Sequence, residues 1–271
     1  MTHTTVGELI RDWRLRRRYS QLALACLANI SARHLSFMET GRAKPSRQML
    51  LLLSEYLEIP LRQRNEMLLC AGYAPHYAEH AMDDAPLQQA HSAIKTLLSA
   101  HEPFPAMAVD GHWNLVHANH SLSLLLGGVA PELLEPPVNV LRLGLHPLGL
   151  ASRILNFGQW RAHLLQRLRR QYEQTADPWL LALYDELVAY PTPDGVSDLS
   201  PVDHVIAVPL QLETSQGVLS LLSASMTFGT PLEVALSELV MEIFLPANPD
   251  SVVILRNLAL PAEEVVDLNV G

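Results

Sequence analysis

Positively charged side chains are concentrated in the first quarter of the sequence, at spacings that suit contact with phosphate. The side chains concerned are Arg14, Arg16, Arg17, Arg18, Arg33, Arg42 and Lys44. The first 75 residues carry 11 Lys and Arg against 6 Asp and Glu, a net charge of +5, whereas the rest of the chain carries −14. Clustered guanidinium and ammonium groups are the chemistry that binds a nucleic acid backbone. We therefore predict phosphate contact by at least one of Arg16, Arg17 and Arg18, the alternative being a solvated helix face.

Other chemistry is not indicated by the remaining polar residues. His112, His117 and His120 lie close in sequence, but no Cys or carboxylate joins them at a metal-binding spacing. The adjacent acids Asp185 and Glu186 point in different directions on a helix, which suits a surface better than a shared catalytic proton. The sequence contains no GxSxG, HExxH, Walker A or GxGxxG motif. We predict no enzyme activity, no metal and no cofactor.

Two short helices joined by a tight turn position the positive charges. Ser20 can cap a first helix, in which Leu24 and the small Ala25 face a neighbouring helix. Asn29 stands where the chain turns, and Asn tolerates the left-handed conformation that such a turn needs. The pattern predicts a helix, a turn and a second helix.

The second helix leaves polar and aromatic side chains on its outer face. Ser31 can cap it, and Gly41 can end it. Leu35 and Met38 are expected to face inward, while the outward positions are Arg33, Ser36 and Phe37. Two helices joined by a turn, followed by a positively charged segment at Arg42 and Lys44, form the arrangement that places a helix in the DNA major groove.

At these residues the sequence resembles the XRE (lambda repressor and Cro-like) family of DNA-binding domains. The matching residues are Ser20-Gln21, Leu24-Ala25, Ser31 and the run Glu39-Thr40-Gly41-Arg42-Ala43-Lys44-Pro45. The resemblance implies that Gln21 lies at the DNA backbone, that Ala32, Arg33 and Phe37 lie nearest the base edges, and that Arg14 pairs with Glu39. The predicted DNA-binding residues are Arg17, Arg18, Gln21, Ser31, Ala32, Arg33, Ser36, Phe37, Arg42 and Lys44.

Two departures from the family pattern concern three positions. Asn29 replaces a usual glycine, and Ala32 and Phe37 stand where relatives often have hydrogen-bonding side chains. Readout is then expected to depend on Arg33, on contacts with thymine methyl groups and on DNA shape.

The chain is long enough for two domains, with 271 residues of which 49% are hydrophobic. No apolar run is long enough to span a membrane, and the N-terminus has no apolar signal segment, so we expect a cytoplasmic protein. Cys26 and Cys70 lie in apolar helical stretches without metal-binding spacing, and we expect buried thiols.

Domain boundaries follow from the changes in periodicity. Residues 1–75 predict an all-α domain of five helices, the first over Val6 to Tyr19, with a lambda repressor-like helix-turn-helix. Residues 76–86 predict a linker and residues 87–271 an α+β domain. Its strands are expected within 105–110, 114–119, 204–213, 217–228 and 238–246, with helices at 87–100, 118–127, 138–145, 150–174 and 178–188. This order predicts an antiparallel five-stranded sheet with helices over one face, which is PAS-like.

A second resemblance covers nearly all of residues 87–260. The segments LRQRNEMLLCAGYAP, HEPFPAMAVDGHWNLVHAN, NVLRLGLHPLGLASRILNFGQW and FGTPLEVALSELVMEIFLPAN are similar to those of MmyB-like transcription regulators. The resemblance implies a PAS-like domain that senses a small molecule, with long-chain fatty acid as the favoured ligand class. The sequence itself shows a Leu-rich domain that could enclose an apolar cavity.

A fatty acid would need a cation or several donors for its carboxylate, because an unpaired buried charge is very costly. The best head-group candidates are Arg142 and Arg153, with donors nearby in sequence at Asn139, His146, Asn156 and Trp160. The alternative is that Arg142 and Asn139 only tie a helix to a loop. We expect a solvated helix face for Arg161, Arg167, Arg169 and Arg170.

Three functional hypotheses follow. The first is a ligand-responsive homodimeric transcription regulator, whose two heads read operator half-sites about 34 Å apart and whose placement shifts with ligand occupancy. In the second, the acidic C-terminal half binds a protein partner and no small molecule. The third is an enzyme that acts on the cavity ligand.

Overall fold

The computed structural model describes residues 5–81, 84–193, 208–229 and 231–259. Its backbone contacts divide the chain into two units. Unit 1 contains the described residues of 1–80 together with 170–177 and 230–237, and unit 2 contains the other described residues. Within these described ranges, no helix is long and apolar enough to cross a membrane.

The predicted five helices are present in unit 1. They are α1 (Val6–Arg16), α2 (Gln21–Leu27), α3 (Ala32–Glu39), α4 (Arg47–Tyr56) and α5 (Leu61–Cys70). The side-chain oxygens of Ser20, Ser31 and Ser46 each accept a hydrogen bond from the backbone N–H three residues later, at 3.0, 3.1 and 3.2 Å. The predicted caps at Ser20 and Ser31 are therefore confirmed, and Ser46 caps α4 in the same way.

Left-handed residues end several of these helices. Asn29 has φ +52° and Gly41 has φ +72°, as their residue types predict. Arg18 has φ +59°, so α1 ends at Arg16 rather than at the predicted Tyr19. This conformation is unfavourable for arginine, and the sequence contains no glycine or asparagine there to indicate it.

Unit 1 encloses a compact apolar core to which all five helices contribute. Its most buried members include Ile10, Trp13, Leu24, Ala25, Leu35, Met38, Leu50, Leu53, Met67 and Leu68. Cys26 and Cys70 are exposed, so the expectation of buried thiols is wrong. Each cysteine lies next to apolar residues in sequence but on the solvent-facing side of its helix, and composition alone did not distinguish the two faces.

Unit 2 contains the predicted five-stranded antiparallel sheet. Its strands are β1 (Ala106–Val109), β2 (Leu115–Ala118), β3 (Leu210–Thr214), β4 (Gly217–Thr227) and β5 (Val240–Pro246). They lie in the order β2-β1-β5-β4-β3, and every neighbouring pair is antiparallel. Of the strand predicted over 204–213, residues 204–207 lie outside the described residues. The likeness of this sheet to PAS domains stays a prediction.

Helices connect and cover these strands. They are α6 (Gln88–Ala100), α7 (His120–Leu125), α8 (Val140–Leu145), α9 (Phe157–Thr175), α10 (Pro178–Ala189), α11 (Val234–Glu238) and α12 (Pro249–Ala259). Residues 170–175 of α9 and 234–237 of α11 are assigned to unit 1. The continuous helix predicted over 150–174 is instead a 3-10 turn at Ala151–Arg153 followed by α9. Neither α11 nor α12 was predicted.

Alternating side chains of the sheet face two different environments. Met241 and Ile243 of β5 pack with Ile94 and Leu98 of α6 on one face of the sheet. Glu242 and Phe244 point to the opposite face, together with Leu164 of α9. Both faces of the sheet are thus covered by helices, so the prediction of helices over one face is wrong. Sequence periodicity shows that a strand has two faces but does not show what covers each one.

Candidate functional site

A buried ion pair joins α1 to α3 in unit 1. The Arg14 guanidinium donates from Nε to Glu39 Oε1 at 2.6 Å and from Nη2 to Oε2 at 2.9 Å, and the two side chains are only 8% and 2% exposed. The amide nitrogen of Gln21 donates to Glu39 Oε2 at 2.8 Å. This network ties the start of α2 and the end of α3 to α1. The Arg14 to Glu39 pair implied by the XRE resemblance is present.

The network also changes the protonation behaviour of its members. Burial raises the pKa of Glu39, but hydrogen bonds from Arg14 and Gln21 outweigh burial and lower that pKa below its ordinary value of 4.5. The hydrogen bond to Glu39 raises the pKa of Arg14. The pair therefore stays ionised well into the acid range.

A glycine allows α1 to approach the end of α3 closely. A Cβ placed on Gly7 would lie 2.4 Å from the carbonyl oxygen of Met38 and 2.7 Å from that of Glu39. Real Cβ atoms do not come that close to backbone, so only glycine fits without displacing α3. Together with the ion pair, this contact fixes the position of α3.

The outer face of α3 presents an aromatic ring between two arginines. The Cζ atom of Arg33 lies 5.2 Å from the Phe37 ring centroid, and that of Arg42 lies 5.9 Å from it. Arg33 and Arg42 are exposed, and Phe37 is half-buried. Ala32 and Ser36 are half-buried on the same helix, and Ser31 is exposed at its cap.

Lys44 extends this surface beyond the end of α3. Its ammonium nitrogen lies 5.2 Å from the ring centroid of Tyr73, whose hydroxyl donates to the carbonyl oxygen of Pro45 at 3.1 Å. Lys44 is exposed. The two arginines and Lys44 thus contact rings, and none of them forms an ion pair with a carboxylate among the described residues, which leaves their charge available to an anion.

The two predicted arginines at the end of α1 differ from each other. Arg17 is half-buried and donates from Nε to Leu57 O at 2.8 Å and from Nη2 to Glu58 O at 2.9 Å, so it holds the end of α4. Arg18 is exposed. DNA contact by Arg17, Arg18 and Gln21 stays a prediction, and the hydrogen bonds of Arg17 and Gln21 place them in the scaffold of unit 1.

An apolar cavity lies inside unit 2, on the β5 face opposite α6. Its volume is about 840 Å³, including the space at its opening to solvent. Its walls are formed almost entirely by apolar side chains, as is typical of small-molecule pockets. The lining residues are Met107, Trp113, Leu115, Leu122, Leu125, Leu126, Val140, Leu141, Leu143, Gly144, Leu150, Trp160, Leu164, Arg167, Leu210, Leu212, Leu221, Ser223, Glu242 and Phe244.

The strongest predicted head-group candidate lies outside this lining. Arg142 donates from Nε and Nη2 to the carboxylate of Glu186 at 2.8 and 2.7 Å. The hydroxyl of Tyr190 donates to the same carboxylate at 2.5 Å, and burial together with this bond raises the pKa of Tyr190 to about 12. Asn139 caps α8 and donates to His112 O at 2.8 Å. The structure thus favours the alternative in which Arg142 and Asn139 tie secondary structure elements together.

The remaining head-group candidates also serve the fold, with one exception. Arg153 donates from Nη1 to the carbonyl oxygens of Leu125 and Gly127 at 3.0 and 2.7 Å. Asn156 donates to Pro209 O at 2.7 Å, and His146 Nδ1 accepts from the Leu148 N–H at 3.1 Å. Trp160 lines the cavity. A direct ligand role stays a prediction for all six of these residues.

Sequence reasoning missed the charged pair that lines the cavity. Arg167 of α9 pairs with Glu242 of β5, whose side chain is 2% exposed. The expectation of a solvated face is therefore wrong for Arg167, and also for Arg161, which donates to Val188 O at 2.7 Å. Trp160, Leu164 and Arg167 are spaced four and three residues apart, which places them on one helix face. This spacing is the signal that could have identified Arg167.

Histidine clusters do not form a metal site in the described part of the chain. No group of three or more His, Cys, Asp or Glu side chains there could hold a metal ion. His117 stacks on His91 with ring centroids 4.3 Å apart. Burial, followed by the charges of His91 and Lys95, lowers the pKa of His117.

Comparison with known proteins agrees with both sites. A family model for the helix-turn-helix matches residues 10–63, which include α2, the turn and α3. The model of the MmyB-like transcription regulator ligand binding domain matches residues 90–258, which include the sheet and the cavity. No curated protein matches the chain. The chain is thus a DNA-binding transcription regulator in which an XRE-type helix-turn-helix is followed by a ligand-binding domain. It belongs to the MmyB-like transcription regulator family.

Proposed function

We propose that this regulator reads a two-fold DNA operator as a homodimer and changes its DNA affinity when a long-chain fatty acid occupies the cavity of unit 2. The observation that carries the proposal is the cavity itself. Apart from Arg167, Ser223 and Glu242 its lining is apolar, which suits a hydrocarbon chain. Burial of an alkyl chain there is favoured by about 0.8 kcal/mol per CH₂ group.

The DNA-binding half of the proposal rests on the outer face of α3. Arg33, Arg42 and Lys44 are exposed there, next to the half-buried Phe37 ring. An exposed arginine on a recognition helix can reach the O6 and N7 acceptors of guanine, and an aromatic ring can contact a thymine methyl group. A homodimer would place two such faces one helical turn of DNA apart, about 34 Å.

Native mass spectrometry of the full chain tests the ligand. We expect a mass increment that matches a long-chain fatty acid after incubation with lipid extract. Gly144→Leu is the variant expected to lose ligand binding, because it adds a side chain to the cavity lining. A Cβ at Gly144 would lie 3.9 Å from Leu164 Cδ1, another lining atom, without meeting backbone. The control is Gly127→Leu, since a Cβ at the exposed Gly127 meets nothing within 4 Å.

The outcomes separate the hypotheses. Loss of the increment in Gly144→Leu but not in Gly127→Leu supports the cavity as the site. Absence of any increment in the wild-type chain would favour a protein-interaction domain without a small-molecule ligand. A chemical change in the bound molecule on incubation would indicate an enzyme.

A gel-shift titration with the DNA that precedes the protein's own coding sequence tests DNA binding and its response to the ligand. We expect specific retardation whose midpoint differs between ligand-free and fatty acid-loaded protein, and a dimer mass in light scattering. A midpoint that does not respond to the ligand would exclude ligand control of DNA binding.

A further inference from the structure

The charged end of the cavity is a closed network of four groups. Arg167 donates from Nη2 to Glu242 Oε1 and from Nη1 to Oε2 at 3.4 Å. The hydroxyl of Ser225 donates to Glu242 Oε1 at 2.7 Å and accepts from Arg167 Nη2 at 3.1 Å. The guanidinium carbon of Arg167 lies 5.0 Å from the Trp113 ring centroid. Arg167 is therefore held from two sides, by a carboxylate and by a ring.

Secondary structure places this network at the polar end of an apolar wall. Glu242 is opposite Ser225 in the register of β4 and β5, and Phe244 lies two residues further along the same strand face. Arg167 follows Trp160 and Leu164 on one face of α9. An alkyl chain that lies along Trp160, Leu164 and Phe244 would thus bring its head group towards Arg167.

The charge of that end is balanced by the protein's own side chains. Arg167 and Glu242 are the only charged side chains among the described lining residues, and they neutralise each other. A ligand carboxylate that binds Arg167 would share one guanidinium with Glu242. Two carboxylates around one cation repel each other, and the repulsion is strong where water is excluded. A neutral head group would not meet this repulsion.

We propose, on the basis of the proposed function, that Glu242 is a built-in competitor of the ligand carboxylate for Arg167. Glu242 holds the guanidinium, and an anionic ligand binds only by displacing it. Glu242 thereby lowers the affinity for fatty acids relative to uncharged amphiphiles of the same chain length. The same exchange releases β5 from α9, which gives a carboxylate ligand a structural effect that an alcohol lacks.

A purely structural ion pair makes a different prediction. If the pair only ties α9 to β5, its loss would change the stability of unit 2 and would weaken acid and alcohol binding alike. The ratio of the two affinities is therefore the quantity to measure. Decanoic acid and decan-1-ol are suitable probes, because they share the chain and differ at the head group.

The test compares this ratio by titration calorimetry in full-length wild type, Glu242→Gln and Glu186→Gln. Glutamine keeps the size of Glu242 and removes the competing charge. We expect Glu242→Gln to raise the acid-to-alcohol affinity ratio about tenfold or more. Glu186→Gln is the matched control, because Glu186 pairs with Arg142 away from the cavity lining. Its ratio should stay within about twofold of wild type.

Further variants keep the proposal open to refutation. Arg167→Gln should lower acid affinity and leave alcohol affinity nearly unchanged. If Glu242→Gln does not fold, Ser225→Ala provides the test. Loss of the hydroxyl removes a hydrogen bond that holds Glu242 in place, and this loss should also raise the ratio of acid to alcohol affinity. An unchanged ratio in a folded Glu242→Gln or Ser225→Ala chain overturns the inference while the proposed function stands. Binding of neither probe by the wild type overturns the inference, and it overturns the proposed function as well if native mass spectrometry also shows no fatty acid increment.

Discussion

Removal of the Glu39 carboxylate should strongly destabilise the DNA-binding unit. The variant Glu39→Ala deletes three hydrogen bonds, two from Arg14 and one from Gln21. It also leaves the Arg14 guanidinium, 8% exposed, without its opposite charge. Breaking one side of a buried ion pair typically costs about 3–5 kcal/mol.

A second ion pair in the same chain provides the comparison. Arg142 and Glu186 have the same bidentate geometry, but their side chains are 36% and 37% exposed. Solvent screening limits an exposed pair to about 0–1 kcal/mol. Glu186→Ala is therefore the matched control for Glu39→Ala, with equal chemistry and unequal burial.

Hydrogen exchange of the full-length chain, read by mass spectrometry, reports the two units separately. A loss of 3 kcal/mol corresponds to exchange about 100-fold faster for the most protected amides of α1 and α3, since 1.4 kcal/mol is tenfold. Amides of α8 and α10 should respond to Glu186→Ala by about fivefold at most. An effect of Glu39→Ala no larger than that of Glu186→Ala would refute the reasoning that burial decides the strength of the pair.

Three further predictions follow from the same contacts. Because the pKa of Glu39 is lowered on folding, ionised Glu39 stabilises the folded unit above the ordinary carboxyl pKa of 4.5, and this stabilisation is lost as the pH falls through the lowered value. Hydrogen exchange of α3 should therefore accelerate over that pH range in the wild type and much less in Glu39→Gln. Arg33→Ala should weaken operator binding by about 1–3 kcal/mol in fluorescence anisotropy, whereas Arg256→Ala, an exposed arginine on α12, should leave it unchanged. Arg142→Gln should leave decanoic acid affinity within about twofold in calorimetry, because Glu186 already holds that guanidinium outside the cavity lining, and a larger loss would return Arg142 to the binding site.

Local features of unit 1 were predictable because their causes lie within a few residues. Ser20, Ser31 and Ser46 cap the helices that follow them, and Asn29 and Gly41 are left-handed, as their residue types favour. The left-handed Arg18 was not predictable, because the surrounding fold rather than the residue type imposes its conformation.

The polar end of the cavity depends on contacts between distant parts of the chain. Arg167 and Glu242 are 75 residues apart, and Arg142 is as plausible a cation as Arg167 from composition alone. Only the packing of α9 against β5 distinguishes the two arginines. The side chain of Asn156 bonds to β3 just before α9 begins, which explains why one predicted helix is in fact two separate elements.

The glycine at position 7 limits how any signal can reach DNA. Carbonyl oxygens of Met38 and Glu39 lie where a Cβ at Gly7 would be placed, so α1 and α3 are in contact through their main chains. Because this main-chain contact is closely packed, it resists sliding or tilting of α3 within unit 1. In the proposed homodimer, ligand binding is therefore expected to change the spacing and orientation of whole helix-turn-helix units rather than the shape of one unit. Altered base preference and altered inducibility should accordingly arise from mutations in separate regions of the chain.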